Sequence, residues 1–252
     1  MPVPKTNLHI ARIIFDNPFI QSYIKYTTTI IGRDKAYRFI QYASRFLVYI
    51  FLKYDFSKDI VTKTKNVQLA MGQTRKILRL GRFIDSLNLA IKSAKVDGDT
   101  FVTTMATLNK VAMAGYLFFD ALNLLRTFNI VSYSTAPELA RRAHKGWLIA
   151  LTCSWLSGMY QLIPLKLKES VIHRAQETFR REKSEPAEKE VERAIVSRQL
   201  TTVKRQLVQD SLDMLIPLSG LGFLDVNEGI VALAGTITSF MGGQSHFNKL
   251  MA

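Results

Sequence analysis

Ile77, Leu80, Ile84, Leu87 and Ile91 recur at steps of three and four residues, the spacing that lines side chains along one stripe of an α-helix. The pattern predicts a helix within residues 66–95. Arg75, Arg79 and Arg82 fall on its opposite side with Lys76 at the border, and Asp85 is the only acid in that window. A second stripe of the same period, Phe39, Ala43, Phe46, Ile50 and Tyr54, predicts a helix over 33–54 with Arg38 and Arg45 on its other face. Its wholly apolar run, residues 46–52, is bounded by Arg45 and Lys53 and is too short to cross a bilayer. Val96-Asp97-Gly98-Asp99-Thr100 reads as a turn, with Asp99 or Thr100 able to cap a helix from about Phe101 to Ile130.

Two longer stretches lie downstream. Residues 146–165 are 20 consecutive positions without a charge, between Lys145 and Lys166. At a rise of 1.5 Å per residue they span about 30 Å, the thickness of a hydrocarbon core. Thr152, Ser154, Ser157 and Gln161 make that stretch less apolar than a typical span. Residues 229–248 are a second uncharged 20-residue stretch, rich in small side chains. Gly235 and Ser239 form a small-x-x-x-small pair that lets helices approach closely in lipid. Between the two, residues 166–212 are charged and helix-favouring, with a break expected at Ser184-Glu185-Pro186. The pattern predicts an all-α, membrane-associated protein, with amphipathic N-terminal helices and one or two hydrophobic C-terminal ones.

Charge sharpens this division. The 252 residues carry a formal net charge of +14 and are 48% hydrophobic, a content that excludes general disorder. Residues 1–95 hold 17 Lys/Arg against 5 Asp/Glu, while residues 96–252 hold 17 against 15. The excess positive charge therefore belongs to a basic amphipathic region over 1–95, and the anchoring segments belong to a second region over 96–252. Cys153 is the single cysteine, so a disulfide-stapled secreted domain is excluded. The first 15 residues contain no apolar run of signal-peptide length, and no cleaved leader is expected.

Catalytic and cofactor motifs are missing from the pattern. His9, His144, His173 and His246 are scattered with no metal-ligand spacing, and no phosphate-cradling G-x-x-x-x-G-K occurs. No enzyme activity, cofactor or metal is expected. Asp120, an isolated acid in an apolar helix, is expected to pair with Arg126 or Lys110. Three roles compete for residues 66–95: a core helix of a soluble bundle, a nucleic-acid-binding helix, and a helix lying in a membrane interface. The arginines lack interleaved stacking aromatics and no nucleic-acid module is present, which disfavours the second. In the third, Arg75, Lys76, Arg79 and Arg82 meet anionic lipid headgroups while the aliphatic stripe enters the acyl boundary. The downstream uncharged stretches favour that reading.

The sequence also resembles the peroxin-11 family of peroxisomal membrane proteins in its fungal form. The resemblance lies in Gly32-Arg33-Asp34-Lys35 leading into residues 39–47, and in Arg75-Lys76-Ile77-Leu78-Arg79-Leu80-Gly81-Arg82. It continues through residues 116–126, with Asp120 and Asn123-Leu124-Leu125-Arg126, and through residues 227–239. The resemblance implies a peroxisomal membrane protein that elongates and tubulates the membrane through the amphipathic helix and promotes fission. It implies anionic lipids, self-association and the dynamin-related fission machinery with its adaptors as partners. A pore for small metabolites is the alternative role it implies. The terminal Lys249-Leu250-Met251-Ala252 is not a Ser-Lys-Leu-type matrix address, in keeping with delivery as a membrane protein.

Overall fold

A computed structural model describes residues 15–128, 130, 136–182 and 187–251, with the side chains of 136, 175–182 and 187–188 left out. The expected break at Ser184-Glu185-Pro186 and most of the amino-terminal stretch lie outside the described residues. Eight helices are described: α1 (Pro18–Thr28), α2 (Ile30–Lys53), α3 (Lys58–Leu78), α4 (Arg82–Ala94), α5 (Thr100–Thr127), α6 (Ala136–Glu182), α7 (Ala187–Gly220) and α8 (Glu228–Met251). No strand occurs among the described residues.

Local chemistry accounts for the element ends. Asn17 caps α1 by accepting from the Phe19 amide at 2.9 Å, with Pro18 in the first turn where its missing N–H costs nothing. Thr29 leaves helical geometry and accepts from the Gly32 amide at 3.0 Å, opening α2 one residue after α1 ends. A side chain at Gly32 would collide with the Tyr26 carbonyl, so this corner requires glycine. Asp99 caps α5 by accepting from the Val102 amide at 3.0 Å. That amide, then the Tyr160 hydroxyl, holds the Asp99 carboxyl below its ordinary range.

The helix within 66–95 is interrupted. α3 stops at Leu78, and Gly81 takes a left-handed conformation with φ +79° before α4 begins. The three-and-four stepping continues across the break, so spacing alone could not reveal it. Two prolines lie inside helices, Pro164 in α6 and Pro217 in α7.

The chain forms two compact units. The first joins α1, α2 and α3 to the carboxyl-terminal α8, and the second is residues 79–226, containing α4 to α7. The basic region over 1–95 therefore contributes three helices to one unit and a fourth to the other.

In the first unit α2 packs against both α3 and α8. Its inward face carries Asp34, Arg38, Tyr42 and Ser44, whereas Phe39, Ile40 and Leu47 are exposed. This reverses the polarity of a soluble amphipathic helix, in which the apolar stripe faces the core. Among the inward polar groups Arg38 Nη2 donates to Thr238 Oγ1 at 3.3 Å. At the solvent-exposed edge of the same contact Arg45 Nε donates to Glu228 Oε1 at 2.5 Å. Close approach of α8 depends on small residues. A Cβ on Gly235 would lie 2.2 Å from the Tyr42 ring, and one on Gly229 would lie 2.5 Å from Tyr49. Ser239 is buried, its hydroxyl donating to the Gly235 carbonyl.

In the second unit α5 packs against α4 and α6, and α6 against α7. Gly146 lets α6 reach the backbone of α5, since a Cβ there would lie 2.9 Å from the Tyr116 nitrogen.

Candidate membrane-contact surface

The site is built on α4 and the turn before it. α4 buries small side chains: Ser86 is 8% and Ala90 4% exposed, one helical turn apart and both turned inward. Phe83 meets Phe118 of α5 edge-on with ring centroids 5.5 Å apart. The large aliphatic residues point away. Ile84 is 61% and Ile91 58% exposed, and Leu80 and Leu87 are exposed with them. Asp85 and Lys92 are also exposed, but they lie on a different strip of the helix, turned by roughly a third of a revolution from the aliphatic one. α4 thus presents three strips: small residues against α5, aliphatic residues outward, and charged residues beside them.

Arg79 holds the beginning of this element to α5. Its Nη2 donates to Asp120 Oδ2 at 2.8 Å and its Nη1 to the Tyr116 hydroxyl at 2.6 Å. The guanidinium also lies 5.6 Å from the Tyr116 ring centroid, and Tyr116 stacks on Trp147 of α6. Both charged side chains are 11% exposed. Asp120 thus has a partner in Arg79, 41 positions away in the sequence and outside the local contacts with Arg126 or Lys110 that the sequence suggested.

In the first unit Arg75 is similarly engaged. Its Nε donates to Asp34 Oδ1 at 3.1 Å and its Nη1 to Gln41 Oε1 at 2.7 Å. Arg75 is buried, while Lys76 and Arg82 are half-exposed and Ile77 is exposed. Of the four basic residues expected to face lipid headgroups, Arg75 and Arg79 instead hold helices together. Their acidic partners lie 41 positions away in each case, beyond the reach of any local spacing rule.

Of the two uncharged stretches, the first lies in the helix that suits a bilayer. Among the described residues, α6 over Pro137–Arg174 is the one helix long and apolar enough to cross a membrane. Ile149, Leu156, Ile163 and Leu167 are exposed along it at helical spacing. Its polar residues are satisfied: Thr152 donates to the Leu148 carbonyl at 2.9 Å, and Ser154 to Asp210 Oδ2 of α7 at 2.6 Å. Internal bonding of this kind is what polar groups in a membrane segment need. No group of His, Cys, Asp and Glu suited to a metal ion occurs among the described residues.

Buried ion pairs combined with wide exposed aliphatic faces fit a membrane-associated helical protein. The comparisons place it further. The family model described as peroxisomal biogenesis factor 11 matches residues 20–247, and the chain belongs to that family. It is 26% identical over 232 residues to the peroxisomal membrane protein PMP27 of Saccharomyces cerevisiae, covering 90% of this chain and 94% of the relative. It is 23% identical over 239 residues to the peroxisomal biogenesis factor 11 of Schizosaccharomyces pombe, covering 91% and 95%. With the peroxisomal membrane protein 11A of Bos taurus it shares 25% over 241 residues, 88% of this chain and 94% of the relative. No solved structure matches the chain. The protein is a peroxisomal membrane protein of the peroxisome-biogenesis class.

Proposed function

We propose that this protein elongates and tubulates the peroxisomal membrane by inserting the aliphatic strip of α4 into one leaflet, and so promotes fission and proliferation. The observation that carries this reading is the inverted exposure of α4 and the turn before it, with Ser86 and Ala90 buried while Leu80 of the turn and Ile84, Leu87 and Ile91 of the helix face outward. A helix seated about 5–10 Å deep expands one leaflet and not the other, and many copies favour positive curvature. Its partners in that role are anionic lipids, further copies of the chain, and the dynamin-related fission machinery with its adaptors.

Magnitudes decide which part of the helix matters more. Full burial of an aliphatic side chain contributes about 1.5–3 kcal/mol, so four half-exposed ones supply on the order of 3–6 kcal/mol on insertion. Lys76 and Arg82 add about 1 kcal/mol each near an anionic leaflet. Apolar burial therefore dominates, and charge selects the surface. The test uses the full-length chain reconstituted in anionic vesicles, since a peptide of residues 66–95 would release Arg75 and Arg79 from their partners. Leu80→Asp with Ile84→Asp is expected to abolish tubules; undiminished tubulation would refute the wedge. Lys76→Ala with Arg82→Ala is expected to weaken binding only severalfold, most at low salt.

A second reading, a pore for small metabolites, draws on a cavity of about 290 Å³ between α5, α6 and α7. Asn109, Ser154, Ser157, Gln161, Thr202 and Gln206 give it a hydroxyl and amide lining. Beside it, the Asp210 carboxylate accepts from the Ser154 hydroxyl at 2.6 Å and from the Gln206 amide at 2.8 Å. A pore predicts solute-selective conductance in planar bilayers that persists after Leu80→Asp and Ile84→Asp.

A further inference from the structure

The first unit contains a cavity of about 660 Å³ between α1, α2 and α8, within the size range of small-molecule sites. Phe19, Tyr23, Phe39, Ile40, Phe240 and Phe247 give most of it an aromatic and aliphatic wall. Ser22, Tyr26, Lys35, Ser239 and Gln244 add polar groups to the lining, and of these Lys35 and Tyr26 both reach the glycines of α8. Two glycines make room for them. A Cβ on Gly242 would lie 3.1 Å from Lys35 Nζ, and one on Gly243 would lie 3.2 Å from the Tyr26 hydroxyl oxygen. No acidic side chain lines the cavity among the described residues. The shape is that of an amphiphile: an apolar trough with a cation and a hydroxyl donor.

We propose that this cavity binds an anionic glycerophospholipid, with one acyl chain against the phenylalanines and the phosphate on Lys35 and the Tyr26 hydroxyl. Charge complementarity selects the head. A phosphodiester without an ammonium group suits Lys35, whereas a zwitterionic headgroup brings a second cation beside it. The surroundings select a bilayer lipid over a free fatty acid. Phe39, Ile40 and Phe240 line the cavity and are also exposed on the outer surface, so a membrane lipid can enter sideways without leaving the hydrocarbon. The proposal rests on residence in the peroxisomal membrane and is independent of the α4 wedge.

Labelling with photoreactive lipids tests it. The full-length chain is reconstituted in phosphatidylcholine vesicles doped with diazirine-tagged phosphatidylinositol, phosphatidylcholine or palmitate. Labelled peptides are mapped by mass spectrometry. Labelling of residues 19–40 and 239–247 is then normalised to that of residues 149–171, the exposed face of α6. Phosphatidylinositol is expected to exceed phosphatidylcholine there by about fivefold, the ratio that 1 kcal/mol of headgroup attraction gives. Lys35→Gln is expected to level the two phospholipids. Equal labelling by both phospholipids in the unaltered protein would overturn the proposal, as would stronger labelling by palmitate than by phosphatidylinositol. A preference that persists in folded Lys35→Gln would overturn it too, and the comparison on the unaltered chain stands if that variant does not fold.

Discussion

Asp120→Ala is expected to destabilise the second unit by about 3–5 kcal/mol, because it leaves the Arg79 guanidinium buried without its carboxylate. The Tyr116 hydroxyl and ring face, which Arg79 also meets, do not neutralise a charge. Asp120→Asn retains an acceptor at the same place and is expected to cost less. Replacing both partners, Arg79→Met with Asp120→Leu, is expected to restore most of the loss, since well-packed apolar groups often substitute for a buried ion pair. Thermal unfolding of the purified protein in detergent micelles reads all four chains. A loss below about 1 kcal/mol for Asp120→Ala, the range of exposed pairs, would mean that the pair is not desolvated. The same loss should reduce tubulation, because Arg79 holds the start of α4 against α5.

Gly235→Val is expected to have the next largest effect. The first added carbon would stand 2.2 Å from the Tyr42 ring, and Tyr42 is itself only 6% exposed. The ring has little room to turn aside, so α8 must move off α2. Overpacking of this kind costs about 1–3 kcal/mol, and a β-branched side chain at this distance belongs at the upper end. Tyr42→Leu in the same chain should recover part of the loss, giving the non-additivity expected of residues in contact. Gly115 is the control. Nothing lies within 4 Å of a Cβ there, so Gly115→Ala in the middle of α5 is expected to stabilise by up to about 1 kcal/mol. A similar outcome at Gly115 and Gly235 would refute the close packing of α2 on α8.

The helical architecture was largely legible because its signals are local. The Asp99 cap, the turn before it and the run of aliphatic steps through Ile91 are each set by neighbours within four residues. The break at Gly81 was not, since a left-handed glycine can interrupt a helix while leaving the three-and-four spacing on either side intact. The orientation of α2 was hidden for a different reason. Periodicity identifies two faces but not which one turns inward, and in lipid the polar face can be the buried one. Arg38 and Asp34 point in while Phe39 and Ile40 point out. The pairings of Arg75 with Asp34 and of Arg79 with Asp120 depend on which helices meet. That information resides in tertiary packing, so residues suited to meet headgroups by composition are instead internal struts.

Engagement of Arg75 and Arg79 within the protein concentrates the proposed membrane-binding role in the aliphatic strip. The most direct test of that role is depth. In a Cys153→Ala background, nitroxide labels are placed singly at Ile84, Ile91, Asp85 and Lys92 of the full-length chain in anionic vesicles. Accessibility to oxygen against a water-soluble nickel chelate then gives the depth of each. Labels at 84 and 91 are predicted to lie about 5–10 Å below the phosphates, with those at 85 and 92 at headgroup level or in water. Equal aqueous accessibility at all four positions would contradict the account.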